Sequence, residues 1–214
     1  MEGAASTFSY PIENLSSFHV LLLTETFCCD ELELPGFFSI SRNAVKPAIG
    51  RPMGGLDIAV NRQLNCKVIE KYSSDHLLAV NLVESSCSFV VAYFKPNTDL
   101  EDIYQELKNC LDNLSGVIFV GGDFNARRDS GNRGEELVHF MCQFGFICLN
   151  SAEESTFYCH NGESTIDLVF TNSPLRISSF SISPSCYTKH CQVMETNVLS
   201  SFRDKRTYSS MQYR

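Results

Sequence analysis

Short runs of leucine, β-branched and aromatic residues recur along the chain, separated by polar or glycine-containing stretches. Such runs predict β-strands. Several are apolar at nearly every position, which is typical of strands that are covered on both faces of their sheet. The predicted strands are Val20–Leu23, Leu56–Val60, Leu77–Leu82, Ser88–Tyr93, Val117–Val120, Ile166–Thr171 and Gln192–Val198.

Two other segments have the spacing of an amphipathic helix. From Asp99 to Leu114 the apolar residues recur at helical spacing, which places them on one face. The same spacing predicts a second helix from Gly134 to Phe144, and Gly145 follows as a residue that commonly ends helices. Since strands and helices intermingle along the chain, the predicted fold class is α/β, with sheets and helices packed in layers.

Length and composition fit one globular domain. The chain has 214 residues, of which 43% are hydrophobic, enough to build a sizeable core. We assign residues 1–201 to this domain and expect the polar residues 202–214 to form a frayed tail. The apolar runs are too short to span a bilayer and we find no secretory signal, so we expect an intracellular protein that does not insert into a membrane.

The formal net charge of −8 argues against a broad basic face that would coat nucleic acid. A local basic groove remains open, because Arg127, Arg128 and Arg133 lie close together in sequence. Solvated surface is an equally good interpretation of this cluster.

The ten cysteines do not have the spacing of a zinc site, since the chain contains no Cys-x-x-Cys pair. Disulfides are not expected in an intracellular protein. We therefore interpret most of these cysteines as small hydrophobic core residues.

The first candidate for chemistry is Glu25, which follows the apolar run Val20–Leu23. A carboxylate at the end of a buried strand stands where α/β folds place ligands. Mg²⁺ is held by a few carboxylate oxygens together with water, so Glu25 is a candidate metal ligand. A surface carboxylate is the plainer alternative.

The second candidate is the segment Gly121-Gly122-Asp123-Phe124-Asn125, which ends another apolar strand. Glycines allow a tight turn and the close approach of a substrate. In an extended backbone Asp123 and Asn125 would point the same way. The carboxylate could take a proton from water while the amide orients it, whereas the alternative is an ordinary turn.

The third candidate is Asp167, which opens a strand and is costly to bury without a partner. His190, in Thr188-Lys189-His190, is the partner we expect, because a carboxylate can fix the tautomer of a histidine. Tyr93 ends a further strand, where a half-buried structural tyrosine and a functional one are equally good interpretations.

In their order along the chain, these motifs resemble the endonuclease/exonuclease/phosphatase superfamily, over roughly residues 14–199. The segments around Glu25, Asp123 and Asp167 most resemble the apurinic-type endonuclease module of non-LTR, LINE-like retrotransposons. The Gly-Asp-Phe-Asn segment is the most specific part of the resemblance.

The resemblance implies a four-layered α/β sandwich of two packed sheets with helices outside. It also implies hydrolysis of a DNA phosphodiester with Mg²⁺ or Mn²⁺, in the nucleus. By position, Glu25 would hold the metal and Asp123 would activate water, with Asn125 positioning both water and phosphate. Tyr93 would contact the phosphate. Asp167 would orient His190, which would stabilise the charged transition state.

Two features depart from the family pattern. The family opens with a strand ending in an asparagine, and we find no such strand before Val20, so we expect the first strand to be missing. The family closes on Ser-Asp-His, whereas this chain has Thr188-Lys189-His190, and a lysine would repel a metal cation. A reverse-transcriptase domain, expected in a full-length relative, is also absent from the sequence.

These departures leave three hypotheses. The first is a metal-dependent DNA endonuclease domain. The second is a catalytically impaired remnant that keeps the fold. The third is a phosphatase or small-molecule phosphodiesterase on the same fold, which a fold alone does not exclude.

Overall fold

A computed structural model describes residue 15, residues 17–128, 132–160 and 162–183, and the backbone of residues 193–198 and 207–212. In this part of the chain, strands and two α-helices alternate in the order expected of an α/β fold. The helices are α1 (Leu100–Leu111) and α2 (Asn132–Gln143). The strands are β1 (Phe18–Thr24), β2 (Phe37–Arg42), β3 (Leu56–Asn61), β4 (Val68–Ser73), β5 (Leu77–Leu82), β6 (Cys87–Tyr93), β7 (Val117–Asp123), β8 (Ile147–Cys148), β9 (Phe157–Cys159), β10 (Gly162–Ser164), β11 (Asp167–Thr171), β12 (Ile177–Ser183), β13 (Val193–Val198) and β14 (Thr207–Gln212).

Two six-stranded sheets form the body of the molecule. The first has the order β12-β13-β14-β1-β3-β2 and the second the order β4-β5-β6-β7-β11-β8. Pairing is antiparallel except that β1 is parallel to β14 and β6 is parallel to β7. A separate hairpin joins β9 to β10. Both sheets are therefore mixed.

The sheets pack face to face through apolar side chains. Leu22 and Ile58 of the first sheet share a buried cluster with Val80, Phe89 and Phe119 of the second. Strands β1, β3, β5 and β6 are buried at almost every position, because each also has its opposite face covered. This arrangement explains why the sequence shows continuous apolar runs there.

Both helices cover the outer face of the second sheet. Ile103 and Leu107 of α1 and Leu137 and Met141 of α2 are fully buried against that face. On the outer face of the first sheet, the buried contacts come from the irregular segment that includes Leu32 and Leu34. The predicted α/β sandwich is confirmed.

All seven predicted strands and both predicted helices are present, with ends shifted by at most three residues. The prediction missed β2, β4 and β12, which have exposed or half-exposed positions along their length, the two- and three-residue strands β8, β9 and β10, and the polar strand β14. An apolar run marks a strand only when both faces are buried, so strands with a solvent-facing side gave a weaker signal.

The expected frayed tail is wrong for six of its residues. Thr207–Gln212 form β14, which lies between β1 and β13 and pairs with both. The strand joins the two parts of the first sheet, so it belongs to the fold that we assigned to residues 1–201. The predicted absence of a strand before Val20 falls largely on residues 1–14, which lie outside the described residues.

The described cysteines are only partly core residues. Cys87 and Cys110 are buried, Cys142 is exposed, and the other four with a described side chain are half-buried. Burial raises the pKa of the Cys110 thiol to about 12, so this residue behaves as an inert apolar side chain. None of the helices in the described part of the chain is long and apolar enough to cross a membrane.

Candidate active site

Three predicted site residues form a row across the second sheet. Tyr93 ends β6, Asp123 ends β7 and Asp167 begins β11. The parallel pairing of β6 and β7 sets Tyr93 opposite Asp123, and the antiparallel pairing of β7 and β11 sets Asp123 opposite Asp167. Strand register alone therefore brings together side chains that lie far apart in sequence.

Gly122 allows this row to form. Its backbone has φ +149, and a Cβ there would lie 2.0 Å from the carbonyl oxygen of Ala92 on the neighbouring strand. Any larger residue would push β6 and β7 apart at the point where Tyr93 meets Asp123. The glycine is thus required by close backbone packing.

Asn125 is held by a turn and not by an extended backbone. Its φ is +47, in the left-handed region, so the predicted extended geometry is wrong here. The backbone N–H of Asn125 donates to Asp123 Oδ1 at 2.9 Å, and its side-chain Nδ2 donates to the carbonyl oxygen of Phe94 at 2.9 Å. Asparagine tolerates this conformation because its side chain bonds locally. The second bond uses the amide nitrogen, so the amide oxygen is the atom that Asn125 can offer to a ligand.

Glu25 comes to the same site from the first sheet. It follows β1 and is 8% exposed, and its Oε1 accepts a hydrogen bond of 2.8 Å from the hydroxyl of Tyr93. This contact joins the two sheets at their common rim. Among the described residues, Glu25, Tyr93, Asp123, Asn125 and Asp167 therefore lie together at this rim, and their roles in a site stay predictions.

The turn that presents Glu25 has a constrained backbone. Glu25 and Phe27 both have positive φ, at 52 and 54. The N–H groups of Thr26 and Phe27 donate to the carbonyl oxygens of Gly55 and Gly54, at 3.2 and 3.0 Å. Left-handed backbone at residues other than glycine costs free energy and is found mostly where the surroundings enforce it, often at functional sites. Gly54 and Gly55 therefore have a structural role in this turn.

Asp167 is fixed by two residues that sequence reasoning missed. Asn150 donates from Nδ2 to the carbonyl oxygen of Asp167 at 3.0 Å and accepts from the N–H of Val169 at 2.7 Å. The hydroxyl of Thr156 accepts from the N–H groups of Ile166 and Asp167, both at 3.0 Å. The side chain of Asn150 thus satisfies a backbone carbonyl and a backbone N–H of β11, as the backbone of a neighbouring strand would. No local pattern marks these residues, because their partners are distant in sequence.

Asp57 is a third residue that the sequence motifs did not indicate. It lies on β3 opposite Leu23 and is 1% exposed. The hydroxyl of Ser41 donates to its carboxylate. Burial raises the pKa of Asp57 to about 6, and the hydroxyls of Ser41 and Thr26 limit the rise. The signal in the sequence was an acidic residue inside the run Leu56–Val60.

The arginine cluster is largely structural. Arg128 donates to Glu135 at 3.0 Å and to the carbonyl oxygen of Asn150 at 2.7 Å, and Arg133 donates to the carbonyl oxygen of Thr98. Arg127 contacts the carbonyl oxygen of Glu163 at 3.3 Å. These bonds tie Arg128 and Arg133 to neighbouring segments, whereas Arg127 is exposed, so a local basic groove stays a prediction.

Ser74-Asp75-His76 forms the turn between β4 and β5. The Ser74 hydroxyl accepts from the N–H groups of His76 and Leu77, and the His76 ring stacks on Phe94. His190 and Lys189 lie outside the described residues, so the pairing of His190 with Asp167 stays a prediction.

The donor set fits a weakly held, hard divalent cation. No group of three His, Cys, Asp or Glu side chains in the described part of the chain could hold a metal ion by itself. Mg²⁺ does not need such a group, because it commonly binds through one or two carboxylates together with waters and a substrate phosphate. Glu25 and Asp123 are carboxylates at one rim, so this site fits Mg²⁺ or Mn²⁺ and not a zinc cage.

The two-sheet α/β sandwich, with acidic and amide side chains at the shared rim, is the fold that the resemblance to the endonuclease/exonuclease/phosphatase superfamily implied. The structure resembles the endonuclease domain of TRAS1, a telomere-specific non-LTR retrotransposon, with a TM-score of 0.63 and 19% identity over 84% of this chain and 85% of that one. It also resembles an endonuclease/exonuclease/phosphatase family protein from Leptotrichia buccalis C-1013-b, with a TM-score of 0.61 and 11% identity over 84% and 89% of the two chains.

A sequence model named "Endonuclease-reverse transcriptase" matches residues 87–200, which is more than half of the chain. The protein therefore belongs to this endonuclease–reverse transcriptase family. No curated protein matches the sequence significantly.

Proposed function

We propose that the chain is a divalent-metal-dependent DNA endonuclease domain derived from a retrotransposon protein, whose nick provides a 3′-hydroxyl end for reverse transcription. The joint rim built by Glu25, Tyr93, Asp123 and Asp167 carries this proposal, because it gathers a metal ligand and a proton acceptor within one small site. A reverse-transcriptase domain is the partner expected in a full-length relative, and the nucleus is where such a DNA substrate would be met.

In this proposal the residues divide the work of phosphodiester hydrolysis. Asp123 accepts a proton from the attacking water, while the amide oxygen of Asn125 helps to orient that water. The water oxygen forms a bond to phosphorus, and the bond from phosphorus to the 3′ oxygen breaks. The 3′ oxygen takes a proton from solvent and leaves as a hydroxyl, and the phosphate stays on the 5′ end of the other fragment. A Mg²⁺ or Mn²⁺ ion at Glu25 would supply Lewis-acid stabilisation of the phosphate charge.

Tyr93 and Asp167 have positioning roles in the same scheme. The hydroxyl of Tyr93 donates to Glu25 and thereby holds the carboxylate toward the rim, while its location also allows a contact with the phosphate. Asp167, opposite Asp123, would orient His190, whose N–H would donate to the charged phosphoryl oxygen. Buried carboxylates on facing positions repel each other, which a bound cation or a protonated histidine would relieve.

The direct test is the nicking of supercoiled plasmid by the purified chain across a series of Mg²⁺ and Mn²⁺ concentrations. We expect metal-dependent nicking and a loss of about 100-fold or more in Asp123→Ala. Asp112→Ala is the matched control, since this exposed carboxylate ends α1 away from the rim. Nicking that is equal in the wild type and Asp123→Ala would refute the proposal.

A catalytically impaired remnant is the second candidate, and Lys189 is the observation that favours it. A cation in place of the family's acid would weaken metal binding. Lys189→Asp separates the two candidates: a gain of nicking in this variant would mean that the lysine had impaired the site. Reduced nicking would mean that the lysine contributes to the site.

A further inference from the structure

A protruding loop stands directly beside Glu25. This loop, residues 45–53, is closed at its base by the backbone pairing of Val45 with Met53. The segments flanking it are bonded to the turn after Glu25, since Ala44 donates to the Cys28 carbonyl at 2.7 Å and Thr26 donates to that of Gly55 at 3.2 Å. The loop is therefore fixed to the backbone that presents the proposed metal ligand.

The surface of the loop is apolar at its centre. Ile49 is 93% exposed, and Val45 and Met53 are 60% and 54% exposed. A single exposed hydrophobic residue needs no explanation, but three within nine residues form a patch next to a proposed active site. Such exposure costs solubility and is typical of a contact surface.

The same loop is basic in an acidic protein. Residues 43–56 contain Lys46 and Arg51 and no aspartate or glutamate, whereas the whole chain has a net charge of −8. Both cationic side chains are exposed, and the guanidinium of Arg51 lies 5.2 Å from the centre of the Phe27 ring. Local positive charge on a negative protein favours a polyanion at this position.

The backbone of the loop is restricted in its movement. Pro47 and Pro52 fix their own φ angles, and Gly50 has φ +108, which allows the chain to reverse between them. A stiff loop loses less entropy on binding than a flexible one. The arrangement of a central apolar residue between two cations matches elements that enter a DNA groove, where cations meet phosphates and an apolar side chain packs against base edges or base steps.

We infer that residues 45–53 dock on duplex DNA beside the scissile phosphate, with Lys46 and Arg51 pairing with backbone phosphates and Ile49 packing into the groove. This inference rests on the proposed function, because it takes the rim at Glu25 as the place where DNA is cut. It goes beyond the proposed function by naming residues 45–53 as the segment that binds the duplex, through ion pairs with phosphates and apolar packing in the groove.

The test measures binding separately from cutting. Affinity for a short fluorescein-labelled duplex is measured by polarisation with Ca²⁺ in place of Mg²⁺, for the full chain and for Ile49→Ala and Lys46→Ala/Arg51→Ala. The matched controls are Leu175→Ala and Arg176→Ala, because Leu175 is 92% exposed and both residues lie beyond the end of β11 that is opposite to Asp167.

We expect the double variant to bind duplex about tenfold more weakly and to lower the slope of log affinity against log salt by about two. Ile49→Ala should bind about fivefold more weakly with an unchanged salt slope. The controls should bind like the wild type. Circular dichroism first checks that every variant is folded. Because the altered loop side chains are exposed, shortening them to alanine should not change the fold.

Unchanged duplex affinity in both loop variants would overturn the inference, whatever the plasmid assay shows. Equal losses on duplex and on single-stranded DNA would overturn it as well, because groove docking requires the duplex. Loop-dependent binding without any nicking would refute the proposed endonuclease and leave the docking surface in place.

Discussion

The two sheets present their site residues by different physical means. In the second sheet, Tyr93, Asp123 and Asp167 meet because they are register partners on adjacent strands. In the first sheet, Glu25 lies beyond the end of its strand, on a left-handed turn that backbone hydrogen bonds to Gly54 and Gly55 hold in place. One half of the site is thus set by regular pairing and the other half by a constrained loop.

This difference predicts how substitutions in each half of the site affect stability and activity. A side chain placed by strand register leaves its position only when the pairing of the strands is disturbed. Substitutions that disturb this pairing should therefore lower stability and activity together. A residue placed by a turn can be misdirected while the sheet remains intact, so damage there should lower activity with little loss of stability.

The largest effect is expected from Gly122→Ala. The added Cβ would meet the carbonyl oxygen of Ala92 at 2.0 Å, so β6 and β7 would have to separate. We expect the free energy of unfolding to fall by roughly 3 kcal/mol or more, measured by urea denaturation. Gly145→Ala is the control, because its φ is +78 but nothing lies within 4 Å, so it should cost only about 1 kcal/mol. Equal losses in the two variants would mean that close packing at Gly122 is unimportant.

Asn150→Ala comes next and probes the edge of the second sheet. Removal of the amide leaves the Asp167 carbonyl and the Val169 N–H without their bonds, at an expected cost of about 2 kcal/mol. Nicking by the folded enzyme should also slow, because Asp167 is no longer fixed.

Asn172 supplies a matched control for Asn150. Its amide donates to the Gly116 carbonyl and accepts from the Ile118 N–H, both at 2.9 Å, at the ends of β7 and β11 that lie away from Asp123 and Asp167. Asn172→Ala should lower stability and leave nicking by the folded enzyme unchanged. The comparison fails if both variants slow nicking equally at a temperature where both are folded.

Tyr93→Phe tests the contact between the sheets. Loss of the bond to Glu25 should raise the metal concentration needed for half-maximal nicking by about tenfold, while the free energy of unfolding changes by less than about 1 kcal/mol. Tyr72→Phe removes a bond of the same length, 2.8 Å, to Glu106 on α1. A metal requirement that shifts equally in both variants would contradict the role given to Tyr93.

The smallest effect is expected from Asp57→Asn on the first sheet. Because the pKa of Asp57 is raised to about 6 from an ordinary value of 3.8, the folded state binds its proton more tightly than the unfolded state does. The wild type should therefore lose stability as the pH rises from about 4 to about 6. Asp57→Asn should remove this loss and be more stable by about 1 kcal/mol at pH 7.5, as measured by urea denaturation at each pH. An identical pH profile in the variant would show that Asp57 is not the titrating group.

The parts of the fold that the sequence predicted are those with local signals. Continuous apolar runs marked β1, β3, β5, β6, β7 and β11, because each is buried on both faces. The strand β14 gave no such signal: its sequence is polar, and its place between β1 and β13 depends on tertiary pairing.

The same distinction holds for the site. Glu25, Tyr93, Asp123 and Asp167 could be predicted because each stands at the end or the beginning of an apolar run. Asn150 and Thr156 act through backbone groups ten to nineteen residues away, and no pattern in the neighbouring sequence indicates such partners. The left-handed turn at Asn125 was also missed, since it depends on a bond to Phe94.

The central claim is that the two sheets build one metal site, and Mn²⁺ affinity measured by electron paramagnetic resonance tests it without relying on turnover. We expect Glu25→Gln to weaken Mn²⁺ binding about tenfold or more and Tyr93→Phe to weaken it less. The double variant should bind like Glu25→Gln alone, since Tyr93 acts through Glu25. Wild-type affinity in Glu25→Gln would contradict the account.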